Sequence, residues 1–217
     1  MRRQFKEELE KLKSGILEIF DEIIAQFESL IELLKNFNSE LAEKILNRDD
    51  LIDTKVFKLE EEGIELVATQ FPVARDLRFI HSILIINIHL ERIGDLVYNA
   101  VRALQRMEKL EQADKAAQES LVKMAENTLS IIKTARGALE KNDLELVYSL
   151  PKLDESVDEM FKSFLKRIRD FSVKEHTLEW YLSLVLIARY FERAADQAVD
   201  IGERVAFILT GKLAELD

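Results

Sequence analysis

The chain contains no cysteine, two prolines, six glycines and one tryptophan among 217 residues. The absence of cysteine excludes disulfides, zinc–thiolate sites and thiol nucleophiles together. With so few turn-formers, a fold of many short strands and loops is excluded too, and long helices are the economical reading. No apolar run approaches the ~18 residues that a membrane-spanning helix needs. The opening stretch, Met1 to Gly15, holds no apolar segment suited to a secretory signal. Positive charge is also in deficit: 31 Lys and Arg against 41 Asp and Glu give a formal net charge of -10. That balance argues against nucleic acid, whose phosphates need basic partners, and against unspecific docking on anionic lipid. A cytoplasmic location is expected.

What the chain does have is apolar and charged side chains in bulk, 47% and 33%, set out with helical periodicity. From Phe5, apolar residues fall at Leu9, Leu12, Ile16, Phe20, Ile23, Phe27, Leu30, Leu34 and Phe37. Steps of three and four held over that length specify one amphipathic helix. Asn36 to Ser39 supply turn residues and a cap. A second helix is predicted from Glu40 to Thr69, broken at Gln70-Phe71-Pro72. Pro72 suits the first turn of a third helix, where its missing N–H has no partner to lose. Asp76 falls in that turn, where the helix dipole favours an anion. The third helix is read through Met107.

The pattern then restarts with Ala117, Leu121, Met124, Thr128, Ile132, Ala135 and Leu139, followed by a turn and cap at Asn142-Asp143. A fifth helix is read over Leu144 to Phe171, with Pro151 expected to kink it or delay its start. A sixth is read over Thr177 to Leu209 and stops at Gly211. The restart is a repeat. Asp49-Asp50-Leu51-Ile52-Asp53 aligns with Asp154-Glu155-Ser156-Val157-Asp158, and Glu40-Leu41 with Glu145-Leu146 at the same offset. Leu90-Glu91-Arg92-Ile93-Gly94-Asp95 aligns with Phe191-Glu192-Arg193-Ala194-Ala195-Asp196. The fold class is therefore all-α: six long helices in two tandem three-helix bundles, residues 1–108 and 109–217. Helices of ~30 residues make rods of ~45 Å and an elongated particle.

The residues that carry chemistry are acidic. In the third helix Leu77, Ile80, Leu84 and Ile88 define a stripe that Glu91, Asp95 and Asn99 continue at i, i+4, i+8. Glu192, Asp196 and Asp200 take the matching places in the sixth helix. The second and fifth helices add Asp49/Asp53 and Asp154/Asp158, also four apart. Carboxylates at that spacing repel one another and call for a cation. Two helices side by side would gather an all-oxygen, anionic ligand set suited to magnesium, calcium, manganese or oxidised iron. With no Cys, and no His at helical spacing within the clusters, zinc is disfavoured.

A lone Asp-x-x-x-Asp is usually a solvated face, and Arg92, Arg193 and Arg102 are placed to form ordinary salt bridges. The same spacing twice in each bundle tips the reading to cation binding. His81, His89 and His176 do not recur between the repeats and read as packing or surface residues. Trp180 and the phenylalanines read as core, and Arg75 and Arg78 as an exposed first turn. No Gly-rich phosphate cradle, G-x-S-x-G elbow or Walker-type motif is present.

The stretch Pro72-Val73-Ala74-Arg75-Asp76-Leu77-Arg78, followed by Leu90-Glu91-Arg92-Ile93-Gly94-Asp95 and Asn99, resembles the first signature of the PhoU family. Ile187-Ala188-Arg189-Tyr190-Phe191-Glu192-Arg193-Ala194-Ala195-Asp196, with Glu203-Arg204-Val205 and Thr210-Gly211 after it, resembles the second. The resemblance spans nearly the whole chain. It implies PhoU-like bundles with multinuclear metal clusters (iron, magnesium or manganese) on Asp49, Asp53, Glu91, Asp95 and Asn99, then Asp154, Asp158, Glu192, Asp196 and Asp200. It also implies a negative regulator of phosphate-starvation signalling that modulates the phosphate ABC transporter. The implied partners are that transporter's ATPase subunit, the phosphate-response sensor histidine kinase and a second copy in a homodimer. Contact with the membrane would come only through partners. Gln197 stands where the family often has His, and Asp200 where Asn is usual, so the second site is expected to be more anionic.

The leading expectation is thus a non-enzymatic regulator and adaptor. A ferritin-like di-iron protein needs Glu-x-x-His pairs that are absent here. A metal-dependent phosphatase lacks a distinct nucleophile or general acid. A purely structural helical bundle would show apolar stripes that Glu91, Asp95, Glu192 and Asp196 do not interrupt.

Overall fold

The computed structural model describes residues 2–107, 114–170, 178–213 and 215–216. Six helices occupy them: α1 (Arg2–Lys35), α2 (Ser39–Gln70), α3 (Ala74–Met107), α4 (Lys115–Lys141), α5 (Leu144–Asp170) and α6 (Leu178–Thr210). No strand occurs among the described residues. The expected division between residues 108 and 109, with Phe171, His176 and Thr177, lies outside them.

Helix ends follow local chemistry. Asn38 caps α2 by accepting from the Leu41 N–H at 2.9 Å, and Asp114 caps α4 by accepting from Ala116 and Ala117. Asn142 ends α4 in the left-handed region at φ 52, and Asp143 then caps α5 through the Glu145 N–H at 2.8 Å. Gly211, at φ 74, closes α6, where a side chain would be strained. Two expectations about proline change. Pro72 lies outside α3, which starts only at Ala74 because Phe71 and Ala74 both turn left-handed, at φ 47 and 45. Pro151 does not delay α5 but sits within it, leaving the Val147 carbonyl without its helical donor.

Each repeat closes as a bundle: α1, α2 and α3 touch pairwise, as do α4, α5 and α6. The two are not separate beads. α1 packs on α4 and α3 on α6, so these four helices form the middle of the molecule, with α2 and α5 on its flanks. α3 and α6 run antiparallel, since Arg78 near the start of α3 meets Gly211 past the end of α6. One hydrophobic cluster runs through both repeats. Phe27 and Phe191 meet across the boundary with ring centroids 5.7 Å apart. The α1–α4 seam is edged by ion pairs, Lys133–Glu28 and Arg136–Asp21 at 2.6 Å and Lys35–Glu126 at 2.7 Å.

The core stripe of α3 is Ile80, Ile83, Ile86, Leu90, Ile93 and Val97. Leu77 and Ile88 are exposed, at 41% and 44%. Of the expected stripe Ile80 is wholly buried and Leu84 packs at the edge of the core against Gly63, and the line that Glu91 and Asp95 continue past Ile88 turns to the flank. The acids of α3 do not interrupt the core; they lie beside α2 on the flank.

Candidate metal centre

α2 and α3 lie antiparallel, joined where the Asn87 amide donates to the Val56 carbonyl at 2.8 Å. This register brings Asp49 and Asp53 opposite Asp95 and Glu91. The four acids act on one another. Burial raises Asp49 to a pKa of about 6, the charges of Asp53 and Asp95 add to the rise, and a hydrogen bond from Gln26 opposes it. Burial and then the charges of Asp95 and Asp53 raise Glu91, with Arg92 tempering the effect. Burial and Asp53 raise Asp95. Asn99 is exposed, and its amide donates to the Asp95 backbone carbonyl at 2.8 Å rather than to a carboxylate.

Beneath this cluster lies a residue that motif reading passed over. Gln26 of α1 is wholly buried, between the core residues Ile23 and Phe27. Its amide also sits 3.5 Å from the Ile45 carbonyl, and its Oε1 has no partner. Gly94 makes the close approach possible: a Cβ there would stand 3.2 Å from Ile23 and 3.8 Å from Asp49 Oδ1. The legible signal was a glutamine on the apolar stripe of α1.

The second cluster repeats the plan with different neighbours. Burial raises Asp154 to about 6, assisted by Asp196, Asp158 and Glu192. Glu192 is buried, 8% exposed, and is raised first by burial and then by Asp196 against the pull of Arg189. Burial and then Asp158 raise Asp196. Asp154 Oδ1 and Glu192 Oε2 are buried with no hydrogen-bond partner. Two cations lean into this cluster: Lys162 on Asp158 at 3.3 Å, and Arg189 on Glu192 while lying 5.8 Å over the Phe161 ring. Arg92 and Arg193, the arginines singled out in the sequence, are exposed instead. Asp154, Asp158, Asp196 and Asp200 line an open groove of ≈ 910 Å³ between α5 and α6.

Asp200 sits at the junction of the repeats. Its carboxylate accepts from Gln197 at 3.3 Å and is 3.6 Å from His89 Nδ1, which also lies 3.0 Å from Gln197 Oε1. His89 is a packing residue with a polar task, linking α3 to α6. His81 is exposed and Trp180 is core, as read from the sequence, while Arg78 is half-buried against Gly211.

Among the described residues, no three His, Asp or Glu side chains already converge as a finished coordination shell. The donor chemistry nonetheless fits a hard cation: the donors are all oxygen, two are buried and orphaned, and the carboxylates raise one another's proton affinity. No helix of the described residues is long and apolar enough to cross a membrane.

The PhoU domain model matches this chain twice, over residues 16–104 and 121–205. A phosphate-specific transport system accessory protein PhoU homolog 1 of Thermotoga maritima is 34% identical over 210 residues, 96% of this chain and 90% of the relative. The Methanothermobacter thermautotrophicus homolog 1 is 30% identical over 207 residues, 95% of this chain and 94% of the relative. The crystal structure of the phosphate transport system regulatory protein PhoU from Streptococcus pneumoniae superposes with a TM-score of 0.89 at 25% identity, over 97% of this chain and 99% of that one. PhoU from Pseudomonas aeruginosa gives 0.89 at 26% identity, over 96% and 100%. Two matched domains, six helices in two repeats and paired acidic motifs at equivalent places make one conclusion: the chain belongs to the PhoU family.

Proposed function

We propose that this protein is a cytoplasmic, non-enzymatic regulator of phosphate homeostasis that works by contact and binds metal ions through its two carboxylate clusters. One observation carries the metal reading. Both repeats hold acids at matched positions whose charges are only partly compensated, down to buried oxygens of Asp154 and Glu192 with no partner. A magnesium, manganese or iron ion would relieve that repulsion. Asp49, Asp53, Glu91 and Asp95 would hold it in the first repeat, with Asn99 completing the set. Asp154, Asp158, Glu192, Asp196 and Asp200 would do so in the second, after Lys162 and Arg189 swing away.

The curated relatives carry the name of accessory proteins of a phosphate-specific transport system, which supports the same association here. The proposed partners are the ATPase subunit of the phosphate importer, the phosphate-response sensor kinase and a second copy of the chain. In that role the protein restrains starvation signalling and modulates uptake.

Elemental analysis of protein purified without chelator tests the metal claim. Metal is expected in the wild type, with loss of the first repeat's share in Glu91→Gln combined with Asp95→Asn and retention of the second's. A metal-free wild type, with melting indifferent to added cations, would sink it. Deletion of the gene tests the regulatory claim and is expected to switch on starvation genes at ample phosphate. Phosphate-monoester turnover that depends on the same acids would return the protein to the enzymes.

A further inference from the structure

Around the first cluster three large apolar side chains face solvent: Phe57 at 62%, Ile64 at 55% and Ile88 at 44%. Phe57 is one helical turn from Asp53 and from Glu60, and Ile64 is one turn further on the same face of α2. Ile88 precedes Glu91 by one turn on α3. The Asn87–Val56 hydrogen bond sets Phe57 and Ile88 at the same level of the antiparallel pair. Exposed apolar residues scattered singly need no explanation. These three have an internal control.

The offset that carries Asp53 onto Asp158 carries Phe57 onto Lys162 and Ile64 onto Arg169. The offset that carries Glu91 onto Glu192 carries Ile88 onto Arg189. Three apolar residues in one repeat are three cations in the other. In the second repeat two of those cations serve the acids, Lys162 on Asp158 and Arg189 on Glu192, and Arg189 also covers an aromatic ring. On α2, Lys58 is already held by Glu62 and Lys55 by Glu22. Arg92 offsets part of the charge at Glu91, yet Asp53, Glu60 and Asp95 remain around it.

We propose that the face of α2 and α3 carrying Phe57, Ile64 and Ile88 docks an amphipathic basic helix of a partner protein. The second repeat shows the pattern that such a helix would supply: ammonium and guanidinium groups over the carboxylates, next to apolar contact. The partner's apolar residues at i, i+3 or i+4 and i+7 cover Phe57, Ile64 and Ile88. Its flanking Lys and Arg side chains reach Glu60 and, while no metal ion occupies them, Asp53 and Glu91, a complementarity that sets orientation and speeds encounter. The inference rests on the reading that this protein acts by contact, and it names the surface and the chemistry of what touches it.

The test uses a labelled model peptide, an amphipathic helix with leucines on one face flanked by lysines, and a twin with glutamates in place of the lysines. The full-length wild type is expected to bind the lysine peptide and not the twin. Phe57→Lys combined with Ile88→Arg copies the second repeat and is expected to lower affinity about tenfold or more. Circular dichroism checks the fold, and Phe57→Ser alone, expected to lose affinity several-fold, serves if the double variant is unstable. Equal binding to wild type and variants, or no binding to the wild type, overturns the proposal. So does self-association that Phe57→Ser abolishes, which gives the face to a second copy. Pelleting with phosphatidylglycerol vesicles that depends on Phe57 gives it to lipid and also overturns it. Each of these failures leaves metal content and the deletion phenotype, which test the proposed function, untouched.

Discussion

The two carboxylate clusters share their acids and differ in what surrounds them. From beneath, the first is met by Gln26, wholly buried and donating to Asp49. The same offset that carries Asp49 onto Asp154 puts Ile131 at that place in the second repeat, and Ile131 is buried too. Gly94, under the first cluster, becomes Ala195. From the rim, the first cluster is flanked by Phe57 and Ile88, the second by Lys162 and Arg189. The same electrostatic problem thus has two partial answers. One repeat offers a neutral amide inside and nothing cationic at these rim positions; the other offers cations outside and leaves Asp154 Oδ1 and Glu192 Oε2 bare inside. Duplicated acid spacing fixes the charge to be balanced, and the surrounding residues decide how each copy balances it.

The comparison presumes that both clusters ride on one folding unit, and the largest expected effect tests that. Phe191 of α6 packs on Phe27 of α1, so Phe191→Ala should cost about 3–5 kcal/mol. Both repeats should weaken together in a single urea transition seen alike by circular dichroism and Trp180 fluorescence. Two separated transitions would mean that the clusters sit on independent bundles.

Next in size is the dependence on pH. Asp49 and Asp154 titrate at about 6 in the fold, against ~3.9 in an unfolded chain. Between those values the folded state binds more protons than the unfolded one. These two groups therefore favour the fold on the acid side of the window and disfavour it as pH rises through 6. Asp49→Asn and Asp154→Asn should each raise the apo melting temperature at pH 7 and have little effect near pH 4.5. Melts in chelator at both pH values read the difference; a loss of stability at pH 7 would contradict the uncompensated charge.

An exchange of the buried residues sharpens the contrast. Gln26→Ile removes the donor under Asp49 and should push that carboxyl further up. Ile131→Gln should offer Asp154 a donor and pull it down. Carboxyl-detected NMR titration follows each group, and no movement in either would mean that the buried amide is only a packing residue. The smallest effect is at the rim. Lys162→Phe with Arg189→Ile copies the first repeat and removes cations that compete with a metal. The exposed Lys162–Asp158 pair contributes ~0.2–1 kcal/mol, while Arg189 holds the buried Glu192, so calorimetry should show the second cluster gaining manganese affinity. A loss of affinity would mean that Arg189 helps to build the site.

Much of this protein follows from its sequence alone, for physical reasons that are local. Apolar spacing of three and four, Asn and Asp at helix starts, and Gly211 at a stop determine six helices, because each signal acts within one or two turns. The repeat of Asp49/Asp53 and Glu91/Asp95 in Asp154/Asp158 and Glu192/Asp196 identifies the candidate ligands, because equal spacing on a helix means a shared face. Which way that face points was not legible. Leu77, Leu84 and Ile88 have core periodicity yet border the flank, since α6 and α1 claim the opposite side of α3. The pairing of α3 with α6, which turns two bundles into one core, depends on contacts between residues about a hundred positions apart that no local pattern encodes. The same holds for Gln26 under Asp49, Arg189 on Glu192 and His89 beside Asp200. Each is an ordinary residue in its own helix and acquires a role only from the side chain that folding sets against it.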